Sequence, residues 1–182
     1  MNWKAILSCS VCILCIVMSV KDAAPALQAA RSAADSVDLT ARFVAAGNGD
    51  ALKRKYLVMR KGRRADATVL VAPATVRASL AGFGGKCNLK MLVAPAFNVG
   101  DGMQMDLTLV DAGERRPIYS RYFDAGRKAE DRVWISIEVP LDLHGSGDVY
   151  LEIKVSGGPQ GDLVADWLAF AEALMASERT PR

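Results

Sequence analysis

The chain has 182 residues, a formal charge of +3, and only 7% aromatic residues. That length suits one domain with a core of ordinary size, and the small charge excess does not by itself imply a polyanionic partner. A single histidine, His144, excludes histidine-rich metal sites and leaves a serine–histidine–acid triad to be built on one residue in a turn.

The amino terminus reads as an address. Met1-Asn2-Trp3-Lys4 is a short positive region, Ala5 to Val20 is a 16-residue apolar stretch without a charge, and small residues follow at Ala23-Ala24-Pro25-Ala26. The stretch falls just under the ~17–25 residues that span a bilayer and at the long end of a signal h-region. Residues 1–22 are therefore expected to be either a cleaved signal peptide or a retained membrane anchor helix, with the protein extracytoplasmic, periplasmic or at the cell surface. Residues 23–36 follow as an alanine-rich linker. Cys9, Cys12 and Cys15 lie inside the apolar stretch, where they read as small hydrophobes rather than metal ligands. Cys87 lies outside it, so no intrachain disulfide staples the domain, and a buried thiol is expected.

From residue 37 the pattern is that of short strands. Val37 to Val44 alternates with Leu39, Ala41 and Phe43 on one face, and Gly47-Asn48-Gly49-Asp50 turns the chain. Lys55–Arg60, Thr68–Ala72, Val76–Leu80, Asn88–Ala94 and Met103–Val110 follow, punctuated by glycine and proline. After Asp131-Arg132, Val133, Ile135, Ile137 and Val139 alternate with Trp134, Ser136, Glu138 and Pro140. Val149 to Val155 repeats the alternation beyond His144-Gly145-Ser146-Gly147-Asp148, which predicts an antiparallel pair across a glycine turn. Over 163–175 the signals divide. Leu163, Trp167, Phe170 and Leu174 fit a helical stripe and the alanine content tips the segment toward helix, while the topology would accept a closing strand. Strands spaced about ten residues apart predict an all-β jelly roll or β-sandwich over 37–176, preceded by the apolar helix and followed by a tail at 177–182.

Several stretches taken together resemble a known kind of domain. They are Ala72-Pro73, Gly100-Asp101-Gly102-Met103-Gln104-Met105-Asp106-Leu107, Tyr119-Ser120-Arg121-Tyr122-Phe123-Asp124, Asp131-Arg132-Val133-Trp134, Val139-Pro140-Leu141-Asp142-Leu143, Val149-Tyr150-Leu151-Glu152-Ile153 and Ala165-Asp166-Trp167. The order resembles carbohydrate-binding-module-like jelly rolls of bacterial envelope proteins, over about Val69 to Leu174. Such domains commonly carry a second tryptophan and a proline after the aspartate–tryptophan pair. This chain has Leu168-Ala169-Phe170 instead. The resemblance implies a non-catalytic, carbohydrate-binding function.

Candidate residues follow from chemistry. A sugar face needs flat apolar rings beside polar groups, and Tyr119, Tyr122, Trp134, Tyr150 and Trp167 are available. Tyr119, flanked by Pro117, Ser120 and Arg121, is expected to be the exposed ring, with Arg121 and Tyr122 beside it as ligand contacts. Glycoside hydrolysis would need two facing carboxylates, and no spacing among Asp101, Asp106, Asp124, Asp131, Glu138 and Asp142 singles out a pair. No cofactor is expected apart from a structural calcium, whose candidate ligands are Asp101 and Asp131, with Asp124 and Asp166 behind them. Seven basic residues fall within twelve positions: Lys53, Arg54, Lys55, Arg60, Lys61, Arg63 and Arg64. In an exported protein they suit anionic lipid, acidic glycan or an acidic protein face rather than nucleic acid, and as a solvated hairpin they would also blunt an edge strand. Two partners stay open: an envelope glycan, or a membrane protein complex of which the chain is an anchored accessory subunit.

Overall fold

The computed structural model describes residues 36–46, 51–144, 148–160 and 165–177. The expected apolar helix at 1–22, its cysteines, nearly all of the linker and most of the tail lie outside the described residues. Among the described residues no helix is long and apolar enough to cross a membrane.

Among the described residues, eleven strands build the unit Val37–Arg182 together with Ser36: β1 (Ser36–Asp38), β2 (Phe43–Ala45), β3 (Leu52–Arg60), β4 (Arg63–Val71), β5 (Ala74–Ser79), β6 (Gly85–Pro95), β7 (Met103–Asp111), β8 (Glu114–Phe123), β9 (Ile135–Leu143), β10 (Tyr150–Gly157) and β11 (Trp167–Ser177). One sheet has the order β3-β4-β11-β6-β9, with β1 also beside β11; the other has the order β2-β5-β10-β7-β8. The pairings along both sheets are antiparallel. The all-β expectation holds, as a sandwich of a six-stranded and a five-stranded sheet.

Alternation fills the space between them. Leu89, Met91, Val93, Ile137, Val139, Leu168 and Phe170 from the first sheet meet Val76, Met105, Leu107, Leu109, Leu151 and Ile153 from the second. Phe43 on β2 touches Phe170 on β11 edge to face, with ring centroids 5.2 Å apart, so the two sheets are joined through aromatic contact as well as area.

Three expectations are corrected. The alternating segments before and after the glycine turn do not pair: β9 lies beside β6 in one sheet, and β10 lies between β5 and β7 in the other. A one-sided apolar pattern is the same whichever layer a strand joins, so it cannot distinguish a hairpin from a crossing between layers. Val37–Val44 is not one strand either. A 3-10 turn at Thr40–Arg42, started by the Thr40 amide donating to Asp38 Oδ1 at 2.8 Å, moves the chain from β1 in one sheet to β2 in the other. Leu39 and Phe43 on either side of it are both fully buried.

The third correction concerns the closing segment, where strand β11 stands in place of helix. Its alanines serve packing rather than helix propensity. Leu168, Phe170, Ala173 and Met175 enter the main core, while Ala169 joins Val58, Ala67, Val69 and Ala96 in a second apolar cluster on the outer side of the sheet. A strand covered on both faces loses its polar alternation.

That second cluster is closed by the β3–β4 hairpin. Arg60 Nε donates to the Pro95 carbonyl at 2.7 Å, and Trp134 Nε1 donates to the Arg63 carbonyl at 3.3 Å, while Trp134, Trp167 and Phe97 pack around the cluster.

Candidate functional site

The outer face of the five-stranded sheet carries the most ordered set of polar side chains. Register and parity put Arg77, Glu152, Thr108 and Pro117 in one row across β5, β10, β7 and β8, and Ser79, Tyr150, Val110 and Arg115 in the next. Thr75, Lys154, Asp106 and Ser120 form a third row, and Ser156, Gln104 and Tyr122 a fourth. A bulge in β8 between the partners of Leu107 and Thr108 keeps Arg115 on this face.

Glu152 is the centre. Only 5% of the residue is exposed, and its carboxylate accepts from Arg77 Nε at 2.9 Å through one oxygen and from Arg115 Nη2 through the other. Burial pushes its pKa up, but the hydrogen bonds and charges of Arg115 and Arg77 together outweigh burial, so the carboxyl lies below its ordinary range. The Arg77 guanidinium also lies 5.0 Å from the centre of the Tyr150 ring, which fixes that ring beside the carboxylate. One row away, Gln104 Nε2 donates to Asp106 Oδ1 at 3.0 Å and to Ser120 Oγ at 2.6 Å, and Ser120 Oγ donates to Asp106 at 2.7 Å. Near Thr75 and Lys154 the surface dips into a hollow of about 200 Å³ that Pro73 and Ala46 also line. The face is a hydrogen-bonded array of donors and acceptors with two rings in it, Tyr150 and Tyr122.

The expected ligand residues are divided by parity. Tyr122 lies on this outer face, where its hydroxyl donates to the Asp101 carbonyl, and burial first, then the nearby Asp124, Asp101 and Asp166, raise its pKa. Tyr119 and Arg121 point to the other side. Tyr119 packs on the main core rather than standing free, and Arg121 Nη2 donates to Asp131 Oδ1 at 2.7 Å while its guanidinium lies 5.0 Å from the Phe123 ring centre. The three residues do not form one site.

Asp131 is not available to a metal: its second oxygen accepts the Asp124 amide at 2.8 Å, and the residue is 1% exposed. Asp101 differs. Its Oδ2 accepts the Gln160 amide at 2.6 Å, but its buried Oδ1 has no hydrogen-bond donor, a feature that fits a cation. Among the described residues no three acidic, histidine or cysteine side chains converge at metal-ligating spacing, so an ion at Asp101 would draw on backbone carbonyls and water.

The basic run is also divided. Arg60 is turned inward and 8% exposed, so it does not belong to a solvated patch; burial lowers its pKa, and its buried Nη2 has no hydrogen-bond partner. Lys53 Nζ lies 5.1 Å from the Trp167 ring centre, and Arg63 makes an exposed ion pair with Glu172 at 3.6 Å. Lys61 and Arg64 are exposed, while the side chains of Arg54 and Lys55 lie outside the described residues. His144 is exposed, and its backbone amide donates to Asp111. Cys87 is a buried free thiol.

Sequence reading missed Arg77, Arg115 and Glu152 as a group. The available signal was a glutamate in the middle of an apolar strand, Tyr150-Leu151-Glu152-Ile153, which requires a partner once buried.

No protein-family model matches the sequence. An uncharacterized protein of Archaeoglobus fulgidus is 29% identical over 73 residues, which is 40% of this chain and 18% of that protein. The chain thus matches less than a fifth of the length of this curated relative. Among solved structures, the CBM51 from Clostridium perfringens GH95, determined in complex with methyl-galactose, is 14% identical with a TM-score of 0.52, over 78% of this chain and 99% of that one. The CBM22-1 xylan-binding domain from Paenibacillus barcinonensis Xyn10C is 8% identical with a TM-score of 0.54, over 80% and 94%. The CBM51-2 and INT domains from Clostridium perfringens ZmpB give 10% and 0.51, over 72% and 28%. At these identities the likeness is one of architecture, and the described chain is a jelly roll with the fold of carbohydrate-binding modules.

Proposed function

We propose that this protein is a non-catalytic carbohydrate-binding module acting outside the cytoplasm, and that the outer face of the five-stranded sheet receives an envelope glycan. The observation that carries the reading is the Arg77–Glu152–Arg115 chain beside Tyr150. It sets two half-exposed guanidinium donors, oriented by the buried carboxylate, beside a ring, as hydroxyl-rich ligands require. The fold shared with a module determined with methyl-galactose and with a xylan-binding domain is in keeping with it. The apolar stretch Ala5–Val20 supports export, as a signal or an anchor, and a cation at Asp101 would serve structure rather than chemistry.

The test is a glycan-array screen followed by calorimetry on the best ligand. Thr108→Trp, which fills the centre of the face while removing none of its hydrogen bonds, should abolish binding. Tyr150→Ala should weaken it about tenfold or more, the equivalent of ~1.4 kcal/mol. Arg121→Ala, on the opposite side of the sheet, should leave affinity unchanged at temperatures where the variant is folded. Full affinity in Thr108→Trp would place the glycan elsewhere and sink the proposal.

A further inference from the structure

The β3–β4 hairpin presents a surface that the glycan face does not use. Three of the six exposed large apolar side chains among the described residues lie on it: Tyr56, Leu57 and Met59, at 38%, 49% and 58% exposure. Leu57 stands opposite Asp66 and Met59 opposite Arg64, on the face turned away from Val58 and the second cluster. Pairing of β4 with β11 stops at Thr68, so the two strands run on from there as a ribbon. The ribbon ends in a tight turn at Lys61 and Gly62, both at positive φ (45° and 78°), the geometry of a two-residue hairpin loop. Lys61, Arg63 and Arg64 crown it, all exposed. The nearby acids are Asp66 and Glu172, the latter in a solvated pair with Arg63 that offsets little of its charge. Arg60 and Arg63, the pair that flanks the turn, are tied to the body: Arg60 donates to the Pro95 carbonyl and Trp134 donates to the Arg63 carbonyl. One face of the hairpin is thus held against the body while its other face presents Leu57 and Met59 beside the exposed cations.

We propose that this tip is a membrane-contact element: Leu57 and Met59 enter the headgroup region of an anionic bilayer while Lys61, Arg63 and Arg64 meet its phosphates. Two aliphatic side chains on a narrow ribbon fall far short of the ~800 Å² per partner of a stable protein interface, whereas a lipid surface accepts shallow insertion together with diffuse charge. A second copy of the chain is disfavoured, because like cations would meet. The inference does not depend on where the glycan binds.

The test uses the full chain and vesicle flotation, comparing phosphatidylglycerol-containing with pure phosphatidylcholine vesicles. Each cation near an anionic surface is worth about fivefold in partitioning, so Lys61→Gln with Arg64→Gln should lower binding to the anionic vesicles roughly twenty-five-fold. Leu57→Ser with Met59→Ser should lower it on the same vesicles, and high salt should reduce the wild-type preference. Because the N-terminal apolar stretch is common to all variants, the difference between them isolates the tip. A second readout is insensitive to anchoring: Met59→Trp, read as the emission difference from wild type, should shift to the blue on anionic vesicles. Tip variants that float like wild type, together with an unshifted emission from the tryptophan introduced by Met59→Trp, would overturn the proposal. Capture by an acidic protein without any vesicle response would do the same.

Discussion

Replacing Glu152 by glutamine tests the charged centre of the polar face. The substitution keeps volume and removes the charge that Arg77 and Arg115 bond. Hydrogen bonds to charged groups contribute about 1.5–3 kcal/mol each where solvent is excluded. Here the cover over the carboxylate is the two arginine side chains themselves, 45% and 52% exposed, so water lies one layer away and the gain is screened. We expect Glu152→Gln to destabilise the fold by about 1–2 kcal/mol at neutral pH, or roughly 2–8 °C in Tm for a domain of this size. The pH dependence carries the sharper test. The Glu152 carboxyl is depressed in the folded state relative to its ordinary value of 4.5. Its contribution is therefore fully present above that value and is lost as pH falls through the lower, folded pKa. Thermal melts of wild type and variant at stepped pH should show a constant gap near neutrality that closes in acid. A gap that persists unchanged to the acid limit would mean that the carboxylate charge contributes nothing, and that the arginines are ordered by other contacts.

Phe170→Ala removes a fully buried ring that meets Phe43 across the two sheets and should cost about 3–5 kcal/mol, measured by chemical denaturation. Gly102→Ala should destabilise as well, lowering the Tm in thermal melts: φ is +98°, and an added methyl would lie 2.6 Å from the Phe123 carbonyl and collide with the Tyr122 hydroxyl end. Calcium is expected to raise the Tm of the wild type and not of Asp101→Asn. A rise of equal size in both would move the ion away from the orphan Oδ1 of Asp101.

Class and many strand positions, though not β8, were legible because alternation in a half-buried strand is a direct record of which side faces the core. Met103-Gln104-Met105-Asp106-Leu107 alternates in sequence and alternates in burial. Layer membership was not legible, because Ile137 and Val139 on β9 and Ile153 and Val155 on β10 point into the same core from opposite sheets. The alanines of β11 misled for a related reason. Ala169 is small because the outer cluster of Val58, Ala67, Val69 and Ala96 covers it, and all of that cover but Ala96 comes from a hairpin about a hundred residues earlier in the chain. Intrinsic propensity, a fraction of a kcal/mol per residue, yields to burial on both faces.

The site was harder to read because a surface array is made by register, and register is a property of pairs. Arg77, Arg115 and Glu152 are far apart in sequence and meet because β5, β10, β7 and β8 lie side by side in a register that aligns Arg77 with Glu152 and Val110 with both Tyr150 and Arg115. Tyr119, Arg121 and Tyr122 are close in sequence, and a strand sends neighbours to opposite sides, so proximity along the chain argued for a cluster that pleating forbids. Within one strand, two polar residues can share a face only at even spacing or across a bulge. Arg115 reaches the face of Ser120 and Tyr122 through the one-residue bulge near Ile118. Were β8 to alternate regularly through Ile118 with no bulge, Arg115 would turn toward the core side and leave Glu152, 5% exposed, with Arg77 alone.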